Sequence, residues 1–396
     1  MSPRRRRGTR ALATGSAGTV ADLIVEVIGL RQPVDAPATV LVAHGGDGAA
    51  NPYRPRPTTV GRSTTNVAGG GTRFRAMRGA IHNYEDPQGL VQAPTGIIGA
   101  PDGDVWFTSI GNNRVGRVRV ATGSIETFAD PTDAVRLPAN IIPAIDGRLW
   151  FTCLGAGMLA AIDPAATAPA ATIERYAHPE LDKPVAIKSG PDGRLWVSLR
   201  GGDGAVASLD PAAADPLATL QCYRSPTIAG PSALFAHPSG TIWWVNADTG
   251  SIGRLDPSAG DAGRITQLDR ESLPGAPRAW AIDGDGWLWV SLRDPVGVLG
   301  FDATATDPTS TFRHATHERL VSPDGIWIGA DDALWIADTE ASRIVRFDPS
   351  TPDAWSFHGE PPLVQAPFDI KNGVGSDLLW FSDKAANTIG SIDTSN

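Results

Sequence analysis

The chain has 396 residues, 41% of them hydrophobic and 19% charged, with Gly 44 and Pro 33. That length holds one large all-β domain plus an extension, and so many helix breakers exclude long helices while the modest charge excludes a wholly disordered chain. The net charge of −9 hides an asymmetry, because residues 1–76 carry 11 Arg, no Lys and 4 acids. The rest of the chain is therefore strongly acidic, which argues against a nucleic-acid duplex as the main partner, since phosphate binding needs a basic face. A small molecule or a metal suits an acidic body better.

Arg4 to Arg7 are not followed by a clean apolar segment, and no run of 18 apolar residues occurs. A signal peptide and a membrane span are not expected, and a cytoplasmic location is. Residues 1–76 contain none of the 12 Trp and share no pattern with the remaining 320 residues, 396 less 76. They are expected to be a disordered extension or a stretch upstream of a natural start at Met77. Cys153 and Cys222 sit in no C-x-x-C or zinc-type spacing, so neither a disulfide framework nor a nucleophilic thiol is expected.

From Ile81 onward the chain repeats. A tryptophan preceded by Val, Leu or Ile recurs at Trp106, Trp150, Trp196, Trp243, Trp289, Trp335 and Trp380, at intervals of 44 to 47 residues. Each lies just after a turn such as Pro101-Asp-Gly-Asp104 or Pro191-Asp-Gly-Arg194, where Gly or Asp supplies the backbone a tight hairpin needs. Upstream of each turn a proline opens a short apolar strand a, from Pro94, Pro138, Pro184, Pro231, Pro277, Pro323 and Pro367. The tryptophan marks strand b, and runs such as Arg114–Val118 and Ile125–Phe128 make strands c and d. Four short strands per repeat of about 45 residues describe a propeller blade. The last repeat ends without its outer strand, and Ile81–Pro87 is an outer strand with no blade before it, so their pairing closes a seven-bladed ring from residue 77 to 396 and removes a sheet edge.

Gly99-Ala-Pro-Asp-Gly-Asp-Val-Trp-Phe-Thr108 followed by Asn113-Arg-Val-Gly-Arg-Val118 resembles the repeat of the virginiamycin B lyase (streptogramin lyase) family, over about residues 80–396. The resemblance implies a seven-bladed propeller and an enzyme that opens the ring of a type B streptogramin by elimination at an ester, without water, using a divalent metal. In that family a catalytic histidine comes directly after the strand-a proline and a metal-binding glutamate ends the W-F-T-E stretch. Here the first position holds Thr95, Ala139, Val185, Ser232, Arg278, Asp324 and Phe368, and the second holds Ser109, Cys153, Leu199, Asn246, Leu292, Asp338 and Asp383.

Connections d-to-a and b-to-c share one face of a propeller, so function is sought there. Asp324 and Asp338 take the two motif positions of blade six, and Asp369 and Asp383 are their approximate counterparts in blade seven. These four acids are the candidate metal ligands, for Mg²⁺ foremost and Ca²⁺ as the alternative; equally, Asp338 and Asp383 can be turn formers that cap backbone N–H groups. Convergence of the four carboxylates separates the two readings. His317, in the loop entering blade six, is a candidate general base or an ordinary surface histidine. Arg200, Arg278 and Arg293 are placed to bind a substrate carboxylate or steady an enolate, or to form a structural ion network.

The catalytic assignment is Asp324, His317 and Arg293, in a lyase-like enzyme acting on an ester or lactone ring of a cyclic depsipeptide or similar small molecule. The alternatives are a metal-dependent lactone hydrolase and a non-catalytic propeller that binds a ligand or protein. A closed ring needs no partner for stability, so a monomer is expected.

Overall fold

The computed structural model describes residues 77–260, 264–351 and 353–395. The reading of residues 1–76 lies outside these. From Ala76 onward the chain is one compact unit of antiparallel four-stranded sheets, each with strand order a-b-c-d, and seven such blades are present among the described residues. Blade one runs Pro94–Gly99, Val105–Ser109, Arg114–Val118 and Ile125–Ala129. The other strands a are Pro138–Pro143, Pro184–Ser189, Pro231–Ala236, Ala276–Ile282, Pro323–Ile328 and Pro367–Asn372.

The seventh sheet draws on both ends of the propeller: Ile81–Tyr84 lies beside Thr388–Asp393 with Ile81 opposite Ile392 and Tyr84 opposite Ile389. A second bond joins the same two ends. In five blades strand b carries a Ser or Thr two residues after its Trp, and that hydroxyl donates to the carbonyl of the post-proline residue in the next blade: Thr108 to Ala139, Thr152 to Val185, Ser198 to Ser232, Ser291 to Asp324, and Ser382 to Thr95. The last of these joins blade seven to blade one as consecutive blades are joined elsewhere. Blades four and six have Val245 and Ala337 at this position, and in blade six Thr339 Oγ1 takes over by reaching Pro367 O at 2.6 Å.

Strand a departs from regular pairing between its proline and the apolar residue three on, as between Pro94 and Ile97. The irregularity frees the N–H of the intervening third residue, and the same strand-b hydroxyls accept it, as Thr108 does from Gly96 and Ser382 from Asp369. Buried donors need such a partner.

The repeated tryptophans are packing residues. All seven are at most 2% exposed. A buried indole N–H still needs an acceptor, and the hairpin turn supplies it: Asp102 for Trp106, Asp146 for Trp150, Asp192 for Trp196, Asp331 for Trp335 and Asp283 for Trp289. In blade five the turn acid engaged is thus Asp283 and not its neighbour Asp285. The strand-c arginine of the repeat serves the same corner: Arg117 lies over the Trp106 ring and reaches Asp102, and Arg346 pairs with Asp331 at 2.5 Å. The glycine before that arginine is needed for room, because a Cβ at Gly116 would stand 2.1 Å from the Phe107 ring. The motif is therefore a packing code, and it frees the chain's chemistry to reside elsewhere.

Candidate functional site at the mouth of the central channel

Strand a starts where strand b ends, as in Pro184 opposite Leu199 and Pro323 opposite Asp338. The d-to-a and b-to-c connections therefore share one face, as expected. Two repeat positions deliver side chains to it: the residue after the strand-a proline, and the residue after the last strand-b motif position.

In blades five and six these positions meet. Asp324 is 4% exposed. Its Oδ1 lies 3.2 Å from Arg278 Nη2, and its Oδ2 accepts from Arg293 Nη2 at 2.8 Å and from Thr339 Oγ1 at 2.7 Å. Lys384, from the corresponding position of blade seven, packs its ammonium 3.7 Å from the Phe368 ring centroid. Burial, with the positive charges of Arg278 and Arg293, outweighs the attraction of Asp324 and draws the Lys384 pKa down to about 7. Two guanidiniums thus hold one carboxylate with a buried lysine in the neighbouring blade, and among the described residues the buried Arg293 Nε has no hydrogen-bond partner.

The other predicted residues lie apart. Asp338 is fully buried; its carboxylate accepts from the backbone N–H of Val321 and Ser322 and pairs with Arg343. Desolvation raises its pKa against those favourable contacts. Asp383 accepts from the backbone of Gln365, Ala366 and Ala386. Ser109 does the same for Gln92, and Asn246 for Ala229. In four blades, then, this motif position ties the loop that enters its own blade, which is the turn-former reading. Asp369 accepts from Ile97 N–H of blade one and pairs with Lys371 at 2.5 Å. Asn140 accepts from Ile187 N–H in the same way, so Asp369 is a bridge between blades.

No group of three or more His, Cys, Asp or Glu suited to a metal occurs among the described residues. The acids named for Mg²⁺ or Ca²⁺ are engaged separately by N–H donors and cations, and the guanidiniums around Asp324 repel a cation. These residues do not fit a divalent metal. The expected four-carboxylate funnel is corrected on that ground.

His317 is corrected as well. It accepts from Arg319 N–H through Nδ1 and lies beside Trp355 and Phe357, which belong to the outer strand of blade six. His178 makes the same turn with Glu180 N–H in the loop into blade three. The physical reason is position: a d-to-a loop crosses from the outer strand to the inner one, and His317 stands at its outer end. Arg200 pairs with Asp248 of blade four rather than with Asp324.

Thr339 and Lys384 belong to the site without standing out in the sequence. They occupy the same repeat position as Arg200 and Arg293, and aligning that column across all seven blades is the signal that finds them.

The model described as the Virginiamycin B lyase family matches residues 63–209. A search of curated proteins finds no match. Among solved structures, a streptogramin B lyase is 22% identical, with a TM-score of 0.66 over 79% of this chain and 97% of that one. A virginiamycin B lyase from Staphylococcus aureus, solved with Quinupristin, is 19% identical with a TM-score of 0.66 over 79% and 99%. YCF48 from Cyanidioschyzon merolae is 14% identical with a TM-score of 0.59 over 80% and 100%. The repeats, the matched residues and the fold together make this chain a seven-bladed propeller similar to the virginiamycin B lyase family.

Proposed function

We propose that the chain is a lyase-like enzyme that opens an ester or lactone ring by elimination at the Arg278–Asp324–Arg293 site, with arginines in the place of a metal. The observation that carries the reading is the convergence of Arg278 and Arg293 on Asp324. Each guanidinium has five N–H donors, so a pair held by one carboxylate keeps donors for a ligand. Donors held in advance stabilise an enolate as it forms and a carboxylate as it leaves.

In the reaction, Lys384 in its neutral form takes the proton from the carbon α to a carbonyl. The C–H electron pair becomes the new C=C bond, the C–O bond at the β position breaks, and the ester oxygens depart as a carboxylate. An amine with a pKa near the operating pH suits that task. Asp324, held by two guanidiniums and a hydroxyl, is a positioning residue and not the base. Phe368 and the buried stem of Lys384 limit water around the ammonium.

The test is incubation with cyclic depsipeptides and lactones, then mass spectrometry. Elimination opens the ring with no change in mass, whereas hydrolysis adds one water. Mass-neutral opening that is slowed roughly 10²–10³-fold in Arg293→Met supports the proposal. A product heavier by one water means a hydrolase, and tight binding without turnover means a ligand-binding propeller.

A further inference from the structure

A second set of cations lies in the central channel. Lys188 and Lys371 are both the fifth residue of their strands a, Pro184–Ser189 and Pro367–Asn372, each opposite the repeated tryptophan of its blade: Lys188 opposite Trp196 and Lys371 opposite Trp380. In the remaining blades that position holds Ile98, Ile142, Phe235, Ala281 and Trp327, none of them charged. Lys371 is 5% exposed, bonds Asp369 at 2.5 Å and lies 4.6 Å from the Trp327 ring centroid. Lys188 belongs to blade three, with blades one and two on one side of it and blades four, five and six on the other before blade seven is reached. Strand a is an end strand of each sheet and lines the channel, so Lys188 and Lys371 stand at one level of it on different sides.

We propose that the throat of the channel binds one compact oxyanion, of the phosphate or carboxylate class, between Lys188 and Lys371. Two ammonium groups face one carboxylate, and Asp369 is already paired with Lys371. The strands packed against that of Lys188, at Pro138–Pro143, Leu149–Cys153, Leu195–Leu199 and Pro231–Ala236, bring no charged residue. No hydrogen bond or ion pair holds Lys188 among the described residues. A half-buried cation with no ion-pair partner of its own is unfavourable, and a bound anion would relieve both its partial desolvation and its repulsion by Lys371. In the free protein those two effects, burial first, lower the Lys188 pKa to about 8, with Asp369 opposing them. Binding of an anion favours the protonated form, so affinity is greatest below that pH and falls above it.

The proposal is independent of the lyase reading, because Arg278 and Arg293 take no part in it. It is tested by titrating inorganic phosphate, and separately acetate, into the full chain by calorimetry, with Lys188→Met and Arg264→Met as variants, Arg264 being an exposed arginine on the outer strand Arg264–Leu268 of blade four. Methionine keeps most of the lysine stem in place. Expected is binding of at least one of the two anions, weakened roughly tenfold or more in Lys188→Met and unchanged in Arg264→Met, since loss of a charged hydrogen-bond partner is worth about 1.5–3 kcal/mol. Affinity should also drop about tenfold per pH unit above 8 as Lys188 loses its proton. Equal binding by Lys188→Met, equal loss of binding in Arg264→Met, or no binding of either anion by the parent chain overturns it.

Discussion

Blades one and six share the repeat, yet the residue after the strand-a proline closes on itself in one and opens a site in the other. Thr95 is 1% exposed and spends its hydroxyl on Thr108 and on Ala139 O of the next blade. Asp324, at the same place, gathers Arg278, Arg293 and Thr339. At the residue after the last strand-b motif position, Ile110 of blade one is buried and apolar, whereas Arg293, Thr339 and Lys384 of blades five to seven are polar. The propeller dictates its strand-b tryptophans and turn acids, but it leaves these two columns open. Chemistry enters through columns the fold does not use.

The first way to break that comparison is to attack a position the fold does use. Trp335→Ala removes a fully buried indole that also bonds Asp331, and it should cost about 3–5 kcal/mol, read as a lower urea midpoint. Arg293→Met tests the other side. It should leave the urea midpoint near that of the parent while lowering ring-opening turnover by roughly 10²–10³-fold, about 2.7–4 kcal/mol, because it deletes a donor aimed at developing charge. Thr95→Val, at the blade-one counterpart of Asp324, is the control outside the site and should leave turnover alone.

Asp338→Asn sharpens the distinction between motif position and site. The carboxylate is buried and caps Val321 and Ser322 while pairing with Arg343, so its loss should lower stability by about 1–3 kcal/mol. Titration of Mg²⁺ should give the same heats in parent and variant, since the residue's partners are backbone and arginine. Metal binding that disappears in the variant would restore the ligand reading.

The pH profile of turnover is the next test. With the Lys384 pKa lowered to about 7, the amine is protonated and inactive as a base below that value and neutral above it. Rate should climb about tenfold per pH unit up to 7 and level off above, and the rise should vanish in Lys384→Met. A profile unchanged in that variant would assign the proton to another group.

Much of this architecture is legible in the sequence because it repeats. Seven tryptophans, seven prolines and the unmatched outer strand at Ile81–Tyr84 specify blade number and the pairing with Thr388–Asp393 by hydrophobic pattern alone. The site is half legible. Arg278, Arg293 and Asp324 come from repeat positions, whereas Lys384 is inconspicuous beside Asp383, and Lys188 and Lys371 lie a long way apart in the chain. What brings them together is closure of the ring, a long-range event that no local pattern records. Asp338 and Asp383 mislead for the opposite reason: their spacing matches a family motif, and only the donors around them reveal a cap.

The smallest effect belongs to His317. A histidine near Asp324 would be an attractive base, but this one accepts a turn N–H from Arg319 and leans on Trp355 and Phe357 at the outer strand. His317→Ala should therefore leave turnover unchanged and shift stability by no more than about 0.5–1 kcal/mol, the range of a local cap. The parallel variant His178→Ala removes the same turn contact in blade three and should behave alike. Equal, small stability losses from the two, with turnover intact in both, would show that the d-to-a histidines serve the loop. A turnover loss confined to His317→Ala would move the reacting centre outward from the channel mouth and break the distinction between the two columns and the rest of the face.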